Sequence, residues 1–224
     1  MREGCPAGSR RGERDPYAVD EWIALRGGSA EKLDISGPAI IPDGLAIKLY
    51  PCCYALQRPT GAASSLRAEG VEVTSIHRIV VRTPTATVKP LIRVRPRTGL
   101  EAKCSLEYAV VAALLDEHTG FATFSAEQVR RPEAARLIEL VEVDLTEAGD
   151  QLLSGEVEIG VDAADGVRRR TLAYPLGSPR NPATAEELRL KIADCLTGRP
   201  VLPEGITWAS AADLLRTHLT ERGD

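Results

Sequence analysis

Five short segments of the chain have the apolar pattern of β-strands, with clustered β-branched residues or apolar positions at every second residue. These segments are residues 45–50, 75–83, 141–145, 155–161 and 167–174. Pro51 and Pro84 follow the first two segments and are expected to end those strands. Asp165 and Gly166 separate the last two segments, and this pair is typical of tight turns, which predicts an antiparallel hairpin.

Segments with helical periodicity lie between and around these strands, and three of them begin with a capping-box pair, in which a hydroxyl caps the free backbone N–H groups. The capping pairs are Thr98 with Glu101, Ser125 with Gln128 and Thr184 with Glu187. The predicted helices cover residues 17–25, 53–69, 98–116, two short stretches from Ser125 and from Pro132, a stretch from 184 to Gly198, and 208–219. The stretch from Pro84 to Arg97 is predicted to be a loop or an edge.

Helices and strands therefore come in runs and do not alternate regularly, which favours an α+β fold with helices packed on a mixed or antiparallel sheet. Residues 1–16 are polar and rich in Gly and Arg, and we predict a disordered tail there. A helix and linker are expected at residues 17–43. Residues 44–224 are predicted to form the α+β domain.

Composition narrows the classes of function. The chain has 28 Lys and Arg against 32 Asp and Glu, a formal net charge of −4, so no basic excess favours nucleic acid as a partner. The start contains no apolar run, which predicts neither a signal peptide nor a membrane anchor and favours a cytoplasmic location. Five cysteines lack the two-residue spacing of zinc or redox motifs, and we expect them to be reduced thiols.

The first candidate site is the segment from Lys48 to Tyr54, where a predicted strand ends in a Pro turn and a helix begins. Unpaired backbone N–H groups beside a cation suit a carboxylate ligand. An ordinary structural interpretation is that Lys48 is solvated, Tyr50 packs, and the cysteines Cys52 and Cys53 fill small spaces in the core.

Two further polar clusters are less specific. Glu101, Ser105 and Tyr108 have the spacing of one helix face, but capping and ordinary helix pairing explain them equally well. Arg180 lies in a rigid turn with Pro179, and its guanidinium either holds a carboxylate in a bidentate manner or belongs to a surface loop. The three histidines have no catalytic spacing, and the sequence contains no phosphate loop, paired-histidine metal motif or nucleophile elbow.

Three motifs taken in order resemble landmarks of the C-terminal domain of the MmgE/PrpD family. They are IKLYPCCY at residues 47–54, TGLEAKCSLEYAV at residues 98–110 and PRNP at residues 179–182. The resemblance covers about residues 17–196. It implies carbon-acid chemistry beside the carboxylates of small polycarboxylates, without metal or organic cofactor, as in 2-methylcitrate dehydratase, cis-aconitate decarboxylase and iminodisuccinate epimerase.

The resemblance also assigns candidate roles. Lys48 matches the family's active-site lysine, and Cys53 occupies a position that is histidine in decarboxylase-like members, so both are catalytic candidates. Tyr50, Lys103 and Arg180 are candidates for substrate binding. So is Gln57, which stands where many members have histidine and whose amide can orient a substrate but cannot transfer protons.

Members of this family carry a long helical domain ahead of the lysine motif, and here only residues 17–25 correspond to a remnant of it. We therefore expect a truncated, homodimeric lyase-type chain whose site is completed by a separately encoded helical chain. The alternatives are a non-catalytic binding module of the same fold and an epimerase-like isomerase.

Overall fold

The computed structural model describes residues 23–25, 27–29, 45–92, 95–149 and 151–197. The chain divides into two compact units, residues 1–42 and 43–224. In the first unit, residues 23–25 are helical and Gly27 has a positive φ of 76°. The rest of the predicted helix at 17–25, the predicted tail at 1–16 and the predicted helix at 208–219 lie outside the described residues.

The second unit contains four strands and seven α-helices within its described ranges. The strands are β1 (Arg78–Pro84), β2 (Val141–Thr146), β3 (Val157–Ala163) and β4 (Gly166–Leu172). The helices are α1 (Gln57–Ala68), α2 (Thr85–Val88), α3 (Gly99–Ala102), α4 (Leu106–Leu115), α5 (Ala126–Arg130), α6 (Pro132–Ile138) and α7 (Ala185–Cys195). Short 3-10 turns occur at Tyr54–Leu56, Val73–Ser75 and Ala122–Phe124. None of the helices in these ranges is long and apolar enough to span a bilayer.

The strands form one mixed sheet in the order β2-β1-β3-β4, which confirms the predicted α+β fold. β1 pairs with β2 in parallel, and the connection between them contains α2 to α6 because parallel neighbours need a long crossover. β3 is antiparallel to both β1 and β4. The predicted hairpin is confirmed, with its turn at Ala164 and Asp165, one residue earlier than expected.

The two faces of the sheet differ in character. Ile79, Val81, Ile159 and Val161 are at most 1% exposed and belong to the core with α1 and α4. On the other face, cross-strand ion pairs join β1 to β2. Arg78 pairs with Glu142 at 2.6 Å and Arg82 with Asp144 at 2.9 Å. One face is thus covered by helices, and the other is a charged surface.

Arg58 on α1 connects the helix layer to the end of the sheet. Its side chain is completely buried and donates hydrogen bonds to four backbone carbonyls and one hydroxyl. The acceptors are the carbonyl oxygens of Gly155 (2.7 Å), Leu153 (3.1 Å), Leu152 (3.2 Å) and Ala173 (3.4 Å) and the Oγ1 of Thr87 (3.0 Å). These contacts hold the irregular stretch before β3 and the end of β4 against α1.

Three sequence predictions about elements are wrong. The stretch from Pro84 to Arg97, predicted to be a loop or an edge, contains the helix α2. The strand predicted at residues 45–50 does not form, and the backbone N–H of Ile47 bonds instead to the oxygen of Gly177 in a distant turn. The helix predicted at 98–116 is two helices, since Ser105 leaves the helical conformation and caps α4 with its hydroxyl on the N–H of Tyr108. Glu101 and Ser105 therefore do not share one helix face.

Candidate functional site

Lys48 lies on the irregular segment at residues 45–49, with an exposed side chain beside the buried Leu49. The segment is held by a 2.8 Å hydrogen bond from the backbone N–H of Ile47 to the oxygen of Gly177. Gly177 has a φ of 84°, and a Cβ there would lie 2.2 Å from the oxygen of Ile47. Only glycine permits this approach, so it places Lys48 beside the turn that contains Arg180.

Gln57, at the start of α1, fixes the turn that follows Lys48. Its Oε1 accepts from the N–H of Tyr50 at 3.1 Å, and its Nε2 donates to the oxygen of Tyr50 at 3.0 Å. The same Nε2 lies 3.5 Å from the Sγ of Cys52. The Gln57 side chain is buried, and its amide works as a backbone clamp. Its contact with substrate stays a prediction.

Cys53 and Lys103 are brought together although 50 positions separate them in the sequence. The backbone N–H of Cys53 donates to the oxygen of Lys103 at 2.7 Å, at the break between α3 and α4. The Lys103 ammonium lies 5.6 Å from the centre of the Phe121 ring, within the range of a cation–π contact. The motif at residues 98–110 thus holds the motif at residues 47–54 in place through a backbone hydrogen bond.

Arg180 belongs to a turn closed by its own backbone. The N–H of Gly177 donates to the oxygen of Asn181 at 2.9 Å, and the N–H of Asn181 donates to the oxygen of Ser178 at 3.0 Å. Arg180 donates from Nη1 to the hydroxyl of Tyr174 at 2.8 Å, and its guanidinium lies 5.2 Å from that ring's centre. Tyr174 therefore orients the guanidinium on an exposed part of the turn.

Burial decides the protonation of two groups beside Lys48. Burial raises the pKa of the Cys52 thiol from 9.0 to about 12, against the opposing effect of the Lys48 charge. Burial likewise raises the pKa of Tyr50 to about 12, although a hydrogen bond with Ser64 acts in the opposite direction. Both groups are protonated near neutral pH, so Cys52 cannot serve as a base there.

Some polar groups near these motifs are not apparent from the sequence. The hydroxyl of Ser178, in the turn that holds Ile47, is buried and lacks a hydrogen-bond partner among the described residues. His118 and Thr119, after α4, also carry buried polar atoms without a partner in the described ranges. The only signal in the sequence is a short polar run, Glu117 to Thr119, after an almost wholly apolar helix.

Comparison with known protein families gives one match. The profile of the MmgE/PrpD C-terminal domain matches residues 50–205, more than half of the chain. The matched range contains Cys53, Gln57, Lys103 and Arg180, and it begins two residues after Lys48. No sequence among the curated proteins matches the chain significantly.

Proposed function

The chain belongs to the MmgE/PrpD family, as its three motifs predicted, and from this membership we propose that it binds small polycarboxylates in a lyase-type site. Lys48 and Arg180 are the proposed ligands of the carboxylates. The reaction that we propose is abstraction of a proton beside a carboxylate, as in hydro-lyases of the 2-methylcitrate dehydratase type. A helical chain encoded separately would complete the site.

The observation that carries this proposal is the hydrogen bond between Ile47 and Gly177. It joins the segment of Lys48 to the turn of Arg180, although about 130 positions separate the two cations in the sequence. A substrate with two or more carboxylates suits such a pair, because charge-assisted hydrogen bonds are stronger than neutral ones and guanidinium binds carboxylate in a bidentate manner.

Each remaining candidate has a proposed role consistent with its contacts. An ammonium such as that of Lys48 stabilises the enolate-like charge that develops when a proton beside a carboxylate is removed. Tyr50 keeps its hydroxyl proton at neutral pH, so it can donate but not act as a base. Cys53 borders the substrate. Gln57 and Lys103 hold the backbone of the turn that contains Cys53, and the Lys103 ammonium adds positive charge.

An acid and a base are also required for dehydration. The Gln57 amide cannot transfer protons and the Cys52 thiol is held protonated, so we assign the proton transfers to the helical partner. The same observation supports a second candidate, a non-catalytic module that binds the acid and does not convert it. An epimerase-like reaction would also need a base from the partner. A homodimeric assembly and a cytoplasmic location stay predictions from the sequence.

Calorimetric titration of the 224-residue chain with citrate and cis-aconitate tests the binding step. We expect binding that Lys48→Met and Arg180→Met each weaken about tenfold, the effect of losing one charge-assisted contact. Arg169→Met is the matched control, because Arg169 lies beside Gly160 on the opposite face of the sheet. Binding unaffected by Lys48→Met and Arg180→Met, or no binding, would contradict the proposal.

Activity separates the two candidates once binding is established. The chain is mixed with a helical domain taken from another member of the family, and loss of water from 2-methylcitrate is followed by absorbance of the unsaturated product. Turnover that needs both chains and is lost in Lys48→Met supports the lyase. The binding module is supported if the acid binds but is not turned over, and if its protons do not exchange with deuterated water.

A further inference from the structure

A separate pocket of about 140 Å³ lies between Tyr50, the middle of α1, the turn after α4 and the helix α7. Its wall includes Ser64, His118, Thr119, Glu187 and Lys191, but neither Lys48 nor Cys53. A single water molecule needs roughly 10 to 15 Å³ of such space, so the pocket is larger than a site for one water molecule. The pocket thus has the size of a small metabolite.

Two buried polar atoms in the wall of this pocket lack partners. Thr119 is 3% exposed, and its Oγ1 has no hydrogen bond within the described part of the chain. The Nε2 of His118 is buried and lacks a partner there as well. Unpaired buried polar atoms are destabilising and therefore rare in folded proteins, and two in one small cavity indicate a ligand that satisfies them.

Charged groups of both signs surround the same space. Lys191 supplies an ammonium, which also lies 5.3 Å from the centre of the Phe121 ring. Glu187 caps α7 through its Oε2, which accepts from the N–H and the hydroxyl of Thr184, and this leaves its Oε1 for a ligand. Glu117 lines the pocket and is strongly exposed. Glu117 is paired with Arg67 at 3.9 Å, so Lys191 and Glu187 are the charges left for a ligand. This pair suits a ligand with one charge of each sign better than a polycarboxylate.

The wall is built as a fixed surface. The backbone N–H of Phe121 donates to both carboxylate oxygens of Asp194 on α7, at 3.1 and 3.0 Å. Gly120 allows this contact, since a Cβ there would lie 2.6 Å from Oδ1 of Asp194 and 2.9 Å from Cδ2 of His118. The turn after α4 is thereby attached to α7, and the pocket between them is formed before any ligand binds.

We propose that this pocket binds a small zwitterionic α-amino acid. The ligand carboxylate lies against Lys191 and the hydroxyl of Thr119, and its ammonium lies against Glu187. His118 contacts a polar side chain of the ligand, and Tyr50, which also borders the Lys48 site, forms part of the wall. This binding goes beyond the proposed polycarboxylate site, because it uses a different cation and needs no chemical step.

Isothermal titration of the 224-residue chain with L-serine tests the proposal, with glycerol and citrate as comparison ligands. We expect L-serine to bind, and Thr119→Val and Lys191→Met each to weaken its binding about tenfold. Thr119→Val removes an unpaired buried hydroxyl and keeps the shape, so the free variant should melt at the same or a higher temperature. Weaker binding in that variant is then not a result of misfolding.

Arg189→Met is the matched control. Arg189 lies on α7 between Glu187 and Lys191, which line the pocket, but it is exposed and paired with Glu186. It should bind L-serine as the unchanged chain does. The proposal is overturned if L-serine does not bind, if glycerol binds equally well, or if Thr119→Val and Lys191→Met have no effect. It is also overturned if Thr119→Val weakens citrate binding as much as L-serine binding, since citrate is expected at Lys48 and Arg180. It is also overturned if Lys48→Met abolishes L-serine binding, since the ligand would then occupy the polycarboxylate site.

Discussion

Arg58 is a buried cation that, among the described residues, faces carbonyl oxygens and no carboxylate. Burial lowers the pKa of its guanidinium, but five hydrogen bonds from its two terminal nitrogens compensate for the lost water. The carbonyls it binds come from the stretch before β3 and the residue after β4. A single side chain thus satisfies backbone groups that no strand or helix pairs.

Arg58→Met should therefore destabilise the fold by about 3 kcal/mol or more, since several buried carbonyls lose their donors at once. Arg67→Met on the same helix is the control. Arg67 is partly exposed and makes only a 3.9 Å ion pair with Glu117, so a change within about 0.5 kcal/mol is expected. Urea unfolding followed by circular dichroism measures both. Equal effects of the two substitutions would contradict this role for Arg58.

Because the Cys52 thiol is buried, the free energy of unfolding should vary with pH in the alkaline range. Its pKa rises from 9.0 to about 12 on folding, so between these values the unfolded chain holds fewer protons than the folded one. The free energy of unfolding should therefore fall as pH rises from about 9 towards about 12. Cys52→Ala should make this fall shallower, as seen in urea unfolding at a series of pH values.

Cys195→Ala is the control for that series, because Cys195 is exposed at the end of α7. This variant should keep the slope of the unchanged chain. A slope that is the same in Cys52→Ala would mean that the Cys52 thiol titrates normally in the folded protein. Tyr50, whose pKa also rises to about 12, accounts for part of the slope that remains.

At the scale of elements, Ser105 decides that the segment after Thr98 is two helices. It is buried, and its hydroxyl caps α4. Ser105→Ala should cost about 1 to 2 kcal/mol, the usual loss for an N-cap. Ser65→Ala is the control, because the Ser65 hydroxyl only bonds to the oxygen of Gly61 in its own helix. Thermal unfolding of both variants checks this, and a larger loss in Ser65→Ala would contradict it.

The sequence predicted most elements because their signals are local. Thr98 and Thr184 form the expected capping boxes, and Pro132 begins a helix as its position indicated. The errors arise where a residue distant in the sequence determines the local conformation. Residues 45–49 have a strand-like pattern, but their partner is the turn at Gly177, about 130 positions away. Likewise, the role of the Gln57 amide depends on the backbone of Tyr50, which composition and spacing do not reveal.

Gly177 offers a direct test of how the Lys48 segment is held. Gly177→Ala and Gly70→Ala impose the same backbone strain, since both glycines have a φ of 84°. A Cβ at Gly70 meets no atom within 4 Å, whereas one at Gly177 would meet the oxygen of Ile47 at 2.2 Å. Gly70→Ala should therefore cost about 1 to 2 kcal/mol from strain alone.

Gly177→Ala should cost more than this and should also displace residues 45–49. The expected readout is faster amide hydrogen exchange at Ile47 and weaker binding of citrate, neither of which Gly70→Ala changes. Equal hydrogen exchange at Ile47 in both variants would mean that the segment is held by other contacts, and the link between Lys48 and the turn of Arg180 would lose its support.

At the scale of the whole molecule, the sheet, its helices and the matched family domain all lie within the second compact unit. A fragment of residues 43–224 should therefore unfold in one transition, with nearly the melting temperature of the full chain. A fragment that begins at residue 54 should melt lower, because it lacks the Ile47 and Cys53 hydrogen bonds to Gly177 and Lys103. Scanning calorimetry compares the three. If removing residues 1–42 is as damaging as removing residues 1–53, the first unit contributes to the core.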